Sequence, residues 1–430
     1  MRQRIIVGKV SLLSLGCPKN LVDSEKLLIK LQKEGISYSS DPGESDILLI
    51  NTCGFIESAK KESIEEILKL SKLKGEHKKL VVFGCLAKRY GDDLKREIPE
   101  IDVIWGVGDE DKIVDYCSKI ITKSAVNEIS EKLSDTPYAY LKIAEGCDKK
   151  CSYCVIPQIR GRFQSISPDR ILEEAETLIQ AGKKELILIA QDITEYGSDL
   201  KDYNLSRLIR DIASLSGDFW IRLLYLYPTS INDELIETIA SEEKVCNYID
   251  MPLQHSEKKI LGLMGRGGSR SHFEKLIAKI RHIIPEVIIR TTLIVGFPGE
   301  TEDEFNAMVR FLKKIKFDRL GVFTYSKEEG SSAFTLKGQV SKKIKSERFN
   351  KIMSIQSAIS LEKNKKLIGR NFKALVDDRE DNIIVARSYS QAPEIDGVVF
   401  IHDRRGKKGD FVNVKIEEAY DYDLKGSLLP

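Results

Sequence analysis

Gly146-Cys-Asp-Lys-Lys-Cys-Ser-Tyr-Cys154 places three cysteines, Cys147, Cys151 and Cys154, in one short segment. Spacings of three and two residues let a single loop wrap three thiolates around one soft metal centre, and iron–sulfur clusters are held by cysteine sulfur. A zinc site and ordinary core cysteines are the alternatives, but structural zinc takes four ligands and the nearest histidine in sequence is His77. The motif therefore predicts a cluster in which one iron is not held by cysteine and is open to a ligand.

Three more cysteines, Cys17, Cys53 and Cys85, are dispersed, and each follows an apolar run. Helical patterns follow the runs, and such alternation implies a parallel sheet with helices on its faces. Ligands of these sheets sit beyond the carboxyl ends of the strands, where all three cysteines are placed. One such cysteine alone is usually a small hydrophobic group. Three at equivalent strand ends predict a second cluster.

The composition is that of a globular chain. Its 430 residues are enough for two or three domains, and 42% apolar with 31% charged residues fits that class. The net charge of +2 gives no general attraction to nucleic acid. The N-terminus lacks signal-peptide features, and no apolar stretch is long enough to span a membrane. We therefore expect a cytoplasmic protein, in which grouped cysteines are metal or redox sites.

Successive patterns predict an α/β chain in three parts. Residues 8–125 alternate strand-like and helical runs, which predicts an N-terminal parallel α/β sheet domain. Residues 137–368 hold six strand–helix units and a long charged helix, which predicts a partial (β/α)6 barrel with a trailing helix. Residues 369–430 hold short alternating runs divided by turns, which predicts a small all-β barrel. Residues 126–136 are polar and are interpreted as a linker.

The strands of the last two parts can be bounded from the apolar runs. Those of the central part are Tyr138–Ile143, Glu185–Ala190, Trp220–Leu226, Val245–Met251, Val287–Val295 and Arg319–Tyr325. Those of the C-terminal part are Phe372–Val376, Asn382–Arg387, Gly397–Ile401 and Phe411–Glu417. The tight cysteine motif follows the first strand of the central part, at the end where such barrels carry their active sites.

The spacing of Cys147, Cys151 and Cys154 in the first loop of a partial barrel resembles the radical S-adenosylmethionine superfamily. The resemblance implies a 4Fe-4S cluster whose uncoordinated iron binds the amino and carboxylate groups of S-adenosylmethionine. It also implies cleavage of the sulfonium to a 5′-deoxyadenosyl radical. A primary carbon radical breaks a strong C–H bond that no acid or base of the protein can break, while the protein positions the cofactor and excludes water.

The succession of an α/β domain with dispersed cysteines, a radical barrel and a small β-barrel resembles the methylthiotransferases over essentially the whole chain. In that family the small barrel is called TRAM and recognises the substrate. A second 4Fe-4S cluster, held here by Cys17, Cys53 and Cys85, delivers sulfur. S-adenosylmethionine is used twice, once for the methyl group and once for the radical. An electron donor such as flavodoxin or ferredoxin is implied, and we expect a monomer.

Four segments are similar to the branch of the family that modifies a ribosomal protein: Ser14–Glu25, Asn51–Lys60, Ala144–Cys151 and Ile189–Gly197. The first contains Gly-Cys-Pro-Lys-Asn, where transfer-RNA branches usually have Gly-Cys-Gln-Met-Asn. The resemblance implies methylthiolation of the β carbon of an aspartate in small-subunit ribosomal protein S-twelve. A transfer-RNA methylthiotransferase acting on a modified adenosine is the nearer alternative. A zinc-containing module that binds RNA is the more distant one.

The charge of the C-terminal part favours a protein substrate. Residues 370–430 hold ten Lys and Arg against twelve Asp and Glu, a net charge of −2. A domain that binds a phosphate backbone is expected to be basic, whereas a slightly acidic one suits a basic protein. The basic turn Arg404–Lys408 is a local exception, and a turn of this kind is more often a solvated loop.

Five further residues are predicted to contact S-adenosylmethionine. Gln191 follows the second barrel strand and Gln254 the fourth, where polar residues face the barrel mouth. By likeness to the family, Ile294 and Gly296 at the end of the fifth strand lie against the adenosine. Arg160, just past the tight motif, could neutralise a carboxylate of the cofactor or of the substrate aspartate, and a surface turn is the alternative.

Overall fold

The computed structural model describes residues 8–75, 77–121 and 134–429, so most of the predicted linker at 126–136 lies outside the described residues. The chain divides into two compact units. The first takes in the chain up to Asp135 with Gly146–Asp148 and Cys154–Arg162. The second takes in Thr136–Glu145, Lys149–Tyr153 and the chain from Phe163 onward.

The first unit is built from alternating strands and helices. Its elements are β1 (Lys9–Ser14), α1 (Pro18–Lys33), β2 (Ser37–Tyr38), β3 (Ile47–Thr52), α2 (Glu57–Leu73), β4 (Lys79–Gly84), α3 (Cys85–Glu97), β5 (Val103–Ile104), α4 (Glu110–Ile120) and α5 (Ile156–Arg160). The strands form a parallel sheet in the order β2-β1-β3-β4-β5. This is the N-terminal sheet that the sequence predicts.

Apolar runs become the strands of this sheet because helices cover both faces. Every residue of the central strand β3 is buried, as is usual for parallel sheets. On one face, Leu27 of α1 and Ile113 of α4 pack in a single apolar cluster. On the other, Ile67 of α2 and Leu94 of α3 pack in a second cluster. With both faces filled, the carboxyl edge of the sheet is left as the place for a site.

The second unit begins with a barrel-like sheet. Its elements up to the trailing helix are β6 (Tyr138–Lys142), β7 (Ala144–Glu145), β8 (Gln164–Ser165), α6 (Pro168–Gln180), β9 (Glu185–Ile189), α7 (Leu205–Ala213), β10 (Trp220–Leu223), α8 (Asp233–Ser241), β11 (Val245–Asp250), α9 (Lys258–Leu263), α10 (Arg270–Ile283), β12 (Ile288–Val295), α11 (Glu302–Ile315), β13 (Arg319–Thr324) and α12 (Lys342–Lys365). Six parallel strands follow the order β13-β12-β11-β10-β9-β6, and this confirms the predicted partial (β/α)6 barrel.

The bounds of these strands agree with the prediction to within a few residues. The largest difference is at β10, which ends three residues before the predicted Leu226. The cause is Tyr225, whose positive φ of 66° is incompatible with an extended strand. The Asp250 carboxylate accepts the Tyr225 N–H at 3.0 Å and so supports this turn.

A small, mostly antiparallel barrel, in which only β16 and β18 pair in parallel among the described strands, completes the second unit, and an all-β barrel here is as predicted. It closes through β14 (Asn371–Glu380), β15 (Ile383–Ser388), β16 (Val399–His402), β18 (Leu424–Leu428) and β17 (Phe411–Ala419). The sequence predicts four of these strands and misses β18. Gly426 interrupts the apolar alternation there, and a Cβ at that position would lie 2.5 Å from the Lys415 carbonyl oxygen. Close approach of two backbones is what weakens the strand signal.

The two barrels of the second unit share a buried charged network. The Arg222 guanidinium of β10 and the Arg387 guanidinium of β15 both contact the Glu185 carboxylate of β9, at 2.5 and 2.8 Å. Burial disfavours the charge of Glu185, but the two guanidiniums together hold its pKa below its usual value. Asp377 of β14 accepts a further bond from Arg387 at 2.5 Å. The network therefore ties β14 and β15 to the central barrel.

In the part of the chain that the structure describes, no helix is long and apolar enough to cross a membrane.

Candidate metal and cofactor sites

The dispersed cysteines follow three adjacent strands of the first unit. Cys17 is the residue before α1, Cys53 comes directly after β3, and Cys85 is the first residue of α3. The strands β1, β3 and β4 are neighbours in the sheet, and the register pairs Thr52 with Gly84. Cys53 and Cys85 therefore leave the sheet side by side, and sequence separations of tens of residues are no obstacle to their meeting.

Two glycines shape the backbone around these thiols. Gly16 has a φ of +92°, and a Cβ there would lie 2.6 Å from the Cβ and 2.9 Å from the Sγ of Cys53. Gly84 has a φ of +97°, and a Cβ there would lie 2.2 Å from Oδ1 of Asn51. Both distances are shorter than real Cβ contacts, so only glycine fits. Gly16 thus lets the backbone before Cys17 pass directly beside the Cys53 thiol.

Polar side chains surround the buried thiols. The Arg160 guanidinium, with 1% of its side chain exposed, donates to Asp23 at 3.2 Å and to the Asn20 amide oxygen at 2.7 Å. The same oxygen lies 3.7 Å from the Cys85 sulfur. Burial raises the pKa of Cys85 to about 12, while the Arg160 charge acts in the opposite direction. A buried thiolate is disfavoured without a cation, and cluster iron together with Arg160 supplies positive charge.

The tight motif lies in the loop between β7 and α5. Within the first unit, the Cys147 N–H donates to the Gly161 carbonyl at 3.1 Å, and the Ile156 N–H lies 3.5 Å from the Cys154 sulfur. Within the second unit, an Arg266 N–H lies 3.6 Å from the Cys151 sulfur. Donors directed at two of the sulfurs suit thiolates that carry negative charge on a cluster.

No set of three Cys, His, Asp or Glu side chains in residues 8–75, 77–121 and 134–429 converges as ligands of a single ion do. A 4Fe-4S cluster makes a different demand, because each cysteine binds a different iron. The fit of the two cysteine sets to clusters accordingly depends on their positions at strand and loop ends and on the donors and charges beside them.

The mouth of the central barrel collects the other predicted residues. Gln191 lies just past β9 and donates to Glu145 at 3.2 Å, while its own buried side-chain oxygen has no hydrogen-bond partner among the described residues. Gln254 has a φ of +70° and bonds through its backbone to Thr292 and Ile294. Its side-chain oxygen is likewise buried, with no partner in the described part of the chain. Two unsatisfied acceptors at the carboxyl ends of barrel strands fit the N–H and O–H donors of S-adenosylmethionine.

The end of β12 combines an apolar wall with a close backbone approach. Ile294 is 9% exposed and packs with Phe297 and Tyr325. Gly296 has a φ of +71°, and a Cβ there would lie 2.3 Å from Cγ of Lys345. These positions suit contact with a flat apolar face such as that of an adenine. Contact of Ile294 and Gly296 with the adenosine stays a prediction.

Arg160 lies in the first unit, where its described contacts include Asp23 and Asn20. A contact to cofactor or substrate carboxylate therefore stays a prediction, and the alternative of an exposed surface turn does not describe a guanidinium that is 1% exposed.

Arg266 is the main residue that the sequence analysis missed. It lies in Met264-Gly-Arg-Gly-Gly268, between glycines and before α10. Arg266 lies between α9 and α10, and no local pattern marks it, because its contact with Cys151 joins segments distant along the chain.

Comparison with known proteins identifies three matching families along the chain. Residues 9–106 match the uncharacterised protein family UPF0004, residues 141–312 the radical SAM superfamily, and residues 368–429 the TRAM domain. The second match agrees with the tight cysteine motif in the first barrel loop, and the third with the closed five-stranded barrel.

Two curated relatives match over almost the whole chain. The ribosomal protein uS12 methylthiotransferase RimO of Thermodesulfovibrio yellowstonii is 52% identical over 424 residues, which are 97% of this chain and 99% of that protein. The protein of the same name from Thermoanaerobacter sp. is 46% identical, again covering 97% of this chain and 99% of its own length.

A solved structure of low sequence identity shares the fold. It is the radical S-adenosylmethionine methyltransferase TsrM of Kitasatospora setae, determined with cobalamin and a [4Fe-4S] cluster bound. The TM-score is 0.56 at 14% identity, and the match covers 74% of this chain and 75% of that one.

Proposed function

Because the chain belongs to the family of the ribosomal protein uS12 methylthiotransferases, we propose that it attaches a methylthio group to the β carbon of an aspartate in uS12. It is a radical S-adenosylmethionine enzyme that works with iron–sulfur clusters. When bound, the clusters and S-adenosylmethionine supply the radical that removes hydrogen and the sulfur that replaces it. The observation that carries the proposal is the coexistence of two differently built cysteine triads in one chain.

The two triads hold the two 4Fe-4S clusters. Cys147, Cys151 and Cys154 hold the cluster that binds S-adenosylmethionine, and the donors beside Cys151 and Cys154 support that assignment. The dispersed triad holds the cluster that delivers sulfur. Its support is the position of all three cysteines at the carboxyl ends of adjacent strands.

The barrel mouth orients the cofactor. Gln191 and Gln254 accept hydrogen bonds from it through side-chain oxygens that are otherwise buried without partners. Ile294 and the backbone at Gly296 form the apolar wall for the adenosine. His255, next to Gln254, takes no part as an acid because burial lowers its pKa to about 3.

The substrate is a basic protein and not a transfer RNA. The acidic balance of residues 370–430 is the observation in this chain that supports the choice. A transfer-RNA methylthiotransferase is the second candidate, favoured by the basic turn Arg404–Lys408. The enzyme acts as a cytoplasmic monomer and takes electrons from a small carrier such as flavodoxin or ferredoxin.

The test is an anaerobic product assay with two substrates. The reconstituted enzyme is incubated with S-adenosylmethionine, a reductant, and either uS12 or unmodified transfer RNA. We expect an aspartate peptide of uS12 to gain about 46 Da, the exchange of hydrogen for a methylthio group. A methylthiolated nucleoside beside unmodified uS12 would replace our proposal by the second candidate.

Matched cysteine variants connect the product to the triads. Cys151→Ala and Cys17→Ala should each abolish the product, because each removes a ligand of one cluster. Cys117→Ala is the control, since Cys117 is a fully buried packing residue of α4. Product formation by Cys17→Ala at the control level would exclude the dispersed triad from the reaction.

A further inference from the structure

Arg266 is held beside the tight cysteine motif by contacts on several sides. One N–H lies 3.6 Å from the Cys151 sulfur and 3.3 Å from the Tyr153 hydroxyl, and a second donates to the Pro252 carbonyl at 2.7 Å. The guanidinium lies over the Tyr227 ring, 4.3 Å from its centroid. The side chain is thus oriented by stacking as well as by hydrogen bonds.

The backbone around Arg266 is built to keep it there. Ser152 donates through its N–H to the Met264 carbonyl at 2.8 Å and through its hydroxyl to the Leu263 carbonyl at 2.7 Å. Gly265 has a φ of +66°, and a Cβ there would lie 2.4 Å from the Lys150 carbonyl oxygen. The loop that carries Arg266 is therefore hydrogen-bonded directly to the segment that carries Cys151.

No carboxylate pairs with Arg266 among the described residues, where its hydrogen-bond partners are Cys151, Tyr153 and Pro252. A partly buried cation without a carboxylate needs another source of negative charge. A cysteine thiolate bound to an iron–sulfur cluster is such a source.

We propose that Arg266 is a positioning residue that donates an N–H to the Cys151 thiolate and sets the reduction potential of the cluster bound by the tight motif. This inference rests on the function proposed above. Reduction adds one electron to the cluster and makes its sulfurs more negative. A fixed cation with an N–H directed at one of them stabilises the reduced form more than the oxidised form, so the potential rises. A single external electron from the carrier protein balances the step, and no bond to Arg266 is made or broken.

The test measures potential and not turnover. The test uses the full-length chain with the substitutions Cys17→Ala, Cys53→Ala and Cys85→Ala, which retains only the tight-motif cluster. Arg266→Gln and Arg266→Lys are then made in that chain. An EPR-monitored redox titration without S-adenosylmethionine should show that Arg266→Gln lowers the midpoint potential of the cluster by at least about 59 mV. For a one-electron couple this is a tenfold lower ratio of reduced to oxidised cluster at a fixed potential. Arg266→Lys keeps the charge but not the planar donor, so its shift should be smaller.

Arg210→Gln is the matched control, because it removes an arginine of the same domain that is paired with Glu234 on the outer helices. Its potential should equal that of the parent. An Arg266→Gln chain with full iron content and the parental potential would overturn the inference and leave the proposed function intact. A parent chain that assembles no cluster on the tight motif would instead refute the proposed function.

Discussion

Replacing Gly16 by alanine should remove one cluster and spare the other. The residue precedes Cys17 in the turn after β1, and its φ of +92° is one that an alanine adopts at a cost of about 1–2 kcal/mol. The added methyl carbon would also lie 2.6 Å from Cβ and 2.9 Å from Sγ of Cys53. Ordinary contact begins near 3.4 Å. The Cys53 side chain must therefore withdraw by about 0.5 to 0.8 Å, which exceeds the roughly 0.2 Å tolerance of metal–ligand distances.

The strain and the contact can be separated by a second glycine of the same unit. Gly108 has a φ of +89° but open space around the position of a Cβ. Gly108→Ala therefore carries a similar backbone strain and leaves the thiols untouched. Both variants should fold, because a strain of about 1–2 kcal/mol is less than the roughly 5–15 kcal/mol by which a typical domain is stable.

The assay counts clusters and follows two reactions. After anaerobic reconstitution, Gly108→Ala should hold roughly eight iron atoms per chain and Gly16→Ala roughly four, the content of two and of one 4Fe-4S cluster. Gly16→Ala should still cleave S-adenosylmethionine to 5′-deoxyadenosine but should not methylthiolate uS12. If Gly16→Ala bound as much iron as Gly108→Ala and formed the product, the assignment of Cys53 as a ligand would be refuted.

Two further predictions concern stability. Arg387→Met leaves the buried Glu185 and the partly exposed Asp377 with too little positive charge, so thermal and urea unfolding should report a loss of about 3–5 kcal/mol. Adding Asp377→Leu should restore much of it, and an additive further loss would contradict this account. The Lys259 ammonium and the Thr301 cap lower the pKa of Glu304 to about 2. The contribution of ionised Glu304 to the free energy of unfolding is therefore complete above the unfolded pKa near 4.5 and is lost as the pH falls through about 2. The melting temperatures of metal-free wild type and Glu304→Gln should therefore converge near pH 2, and a gap that stays constant from pH 6 to pH 2 would rule out this ionisation as its source.

Local patterns in the sequence predict most of the fold. Buried parallel strands give long apolar runs, and for that reason the six strands of the central barrel are recognised nearly residue by residue. Thr301 and Glu304 form a capping box at the start of α11, and Thr followed three residues later by Glu is a local pattern typical of one. The strand β18 is missed because its pairing with β16 and β17, and not its own composition, makes it a strand.

A candidate site can be recognised where its residues share a local rule and not where its contacts are distant in sequence. The two cysteine triads follow such rules: one is a spacing and the other a position after apolar runs. The contact of Arg266 with Cys151 joins residues 115 positions apart, and that of Arg160 with Asp23 joins residues 137 apart. Neither pair has a pattern in sequence, so only the folded chain brings their chemistry together.

The segment just past the tight motif helps to build the dispersed site. Val155 and Ile159 pack with Cys85 in one apolar cluster, and Arg160 reaches Asn20 and the Cys85 thiol. The dispersed thiols thus obtain part of their wall and their nearby cation from residues that follow Cys154 in sequence. Cys154–Arg162 belong to the first unit. A fragment of the chain that ends before Cys154 would therefore lack this part of the wall. The wall around the dispersed thiols is therefore complete only when the residues that follow Cys154 are folded against it.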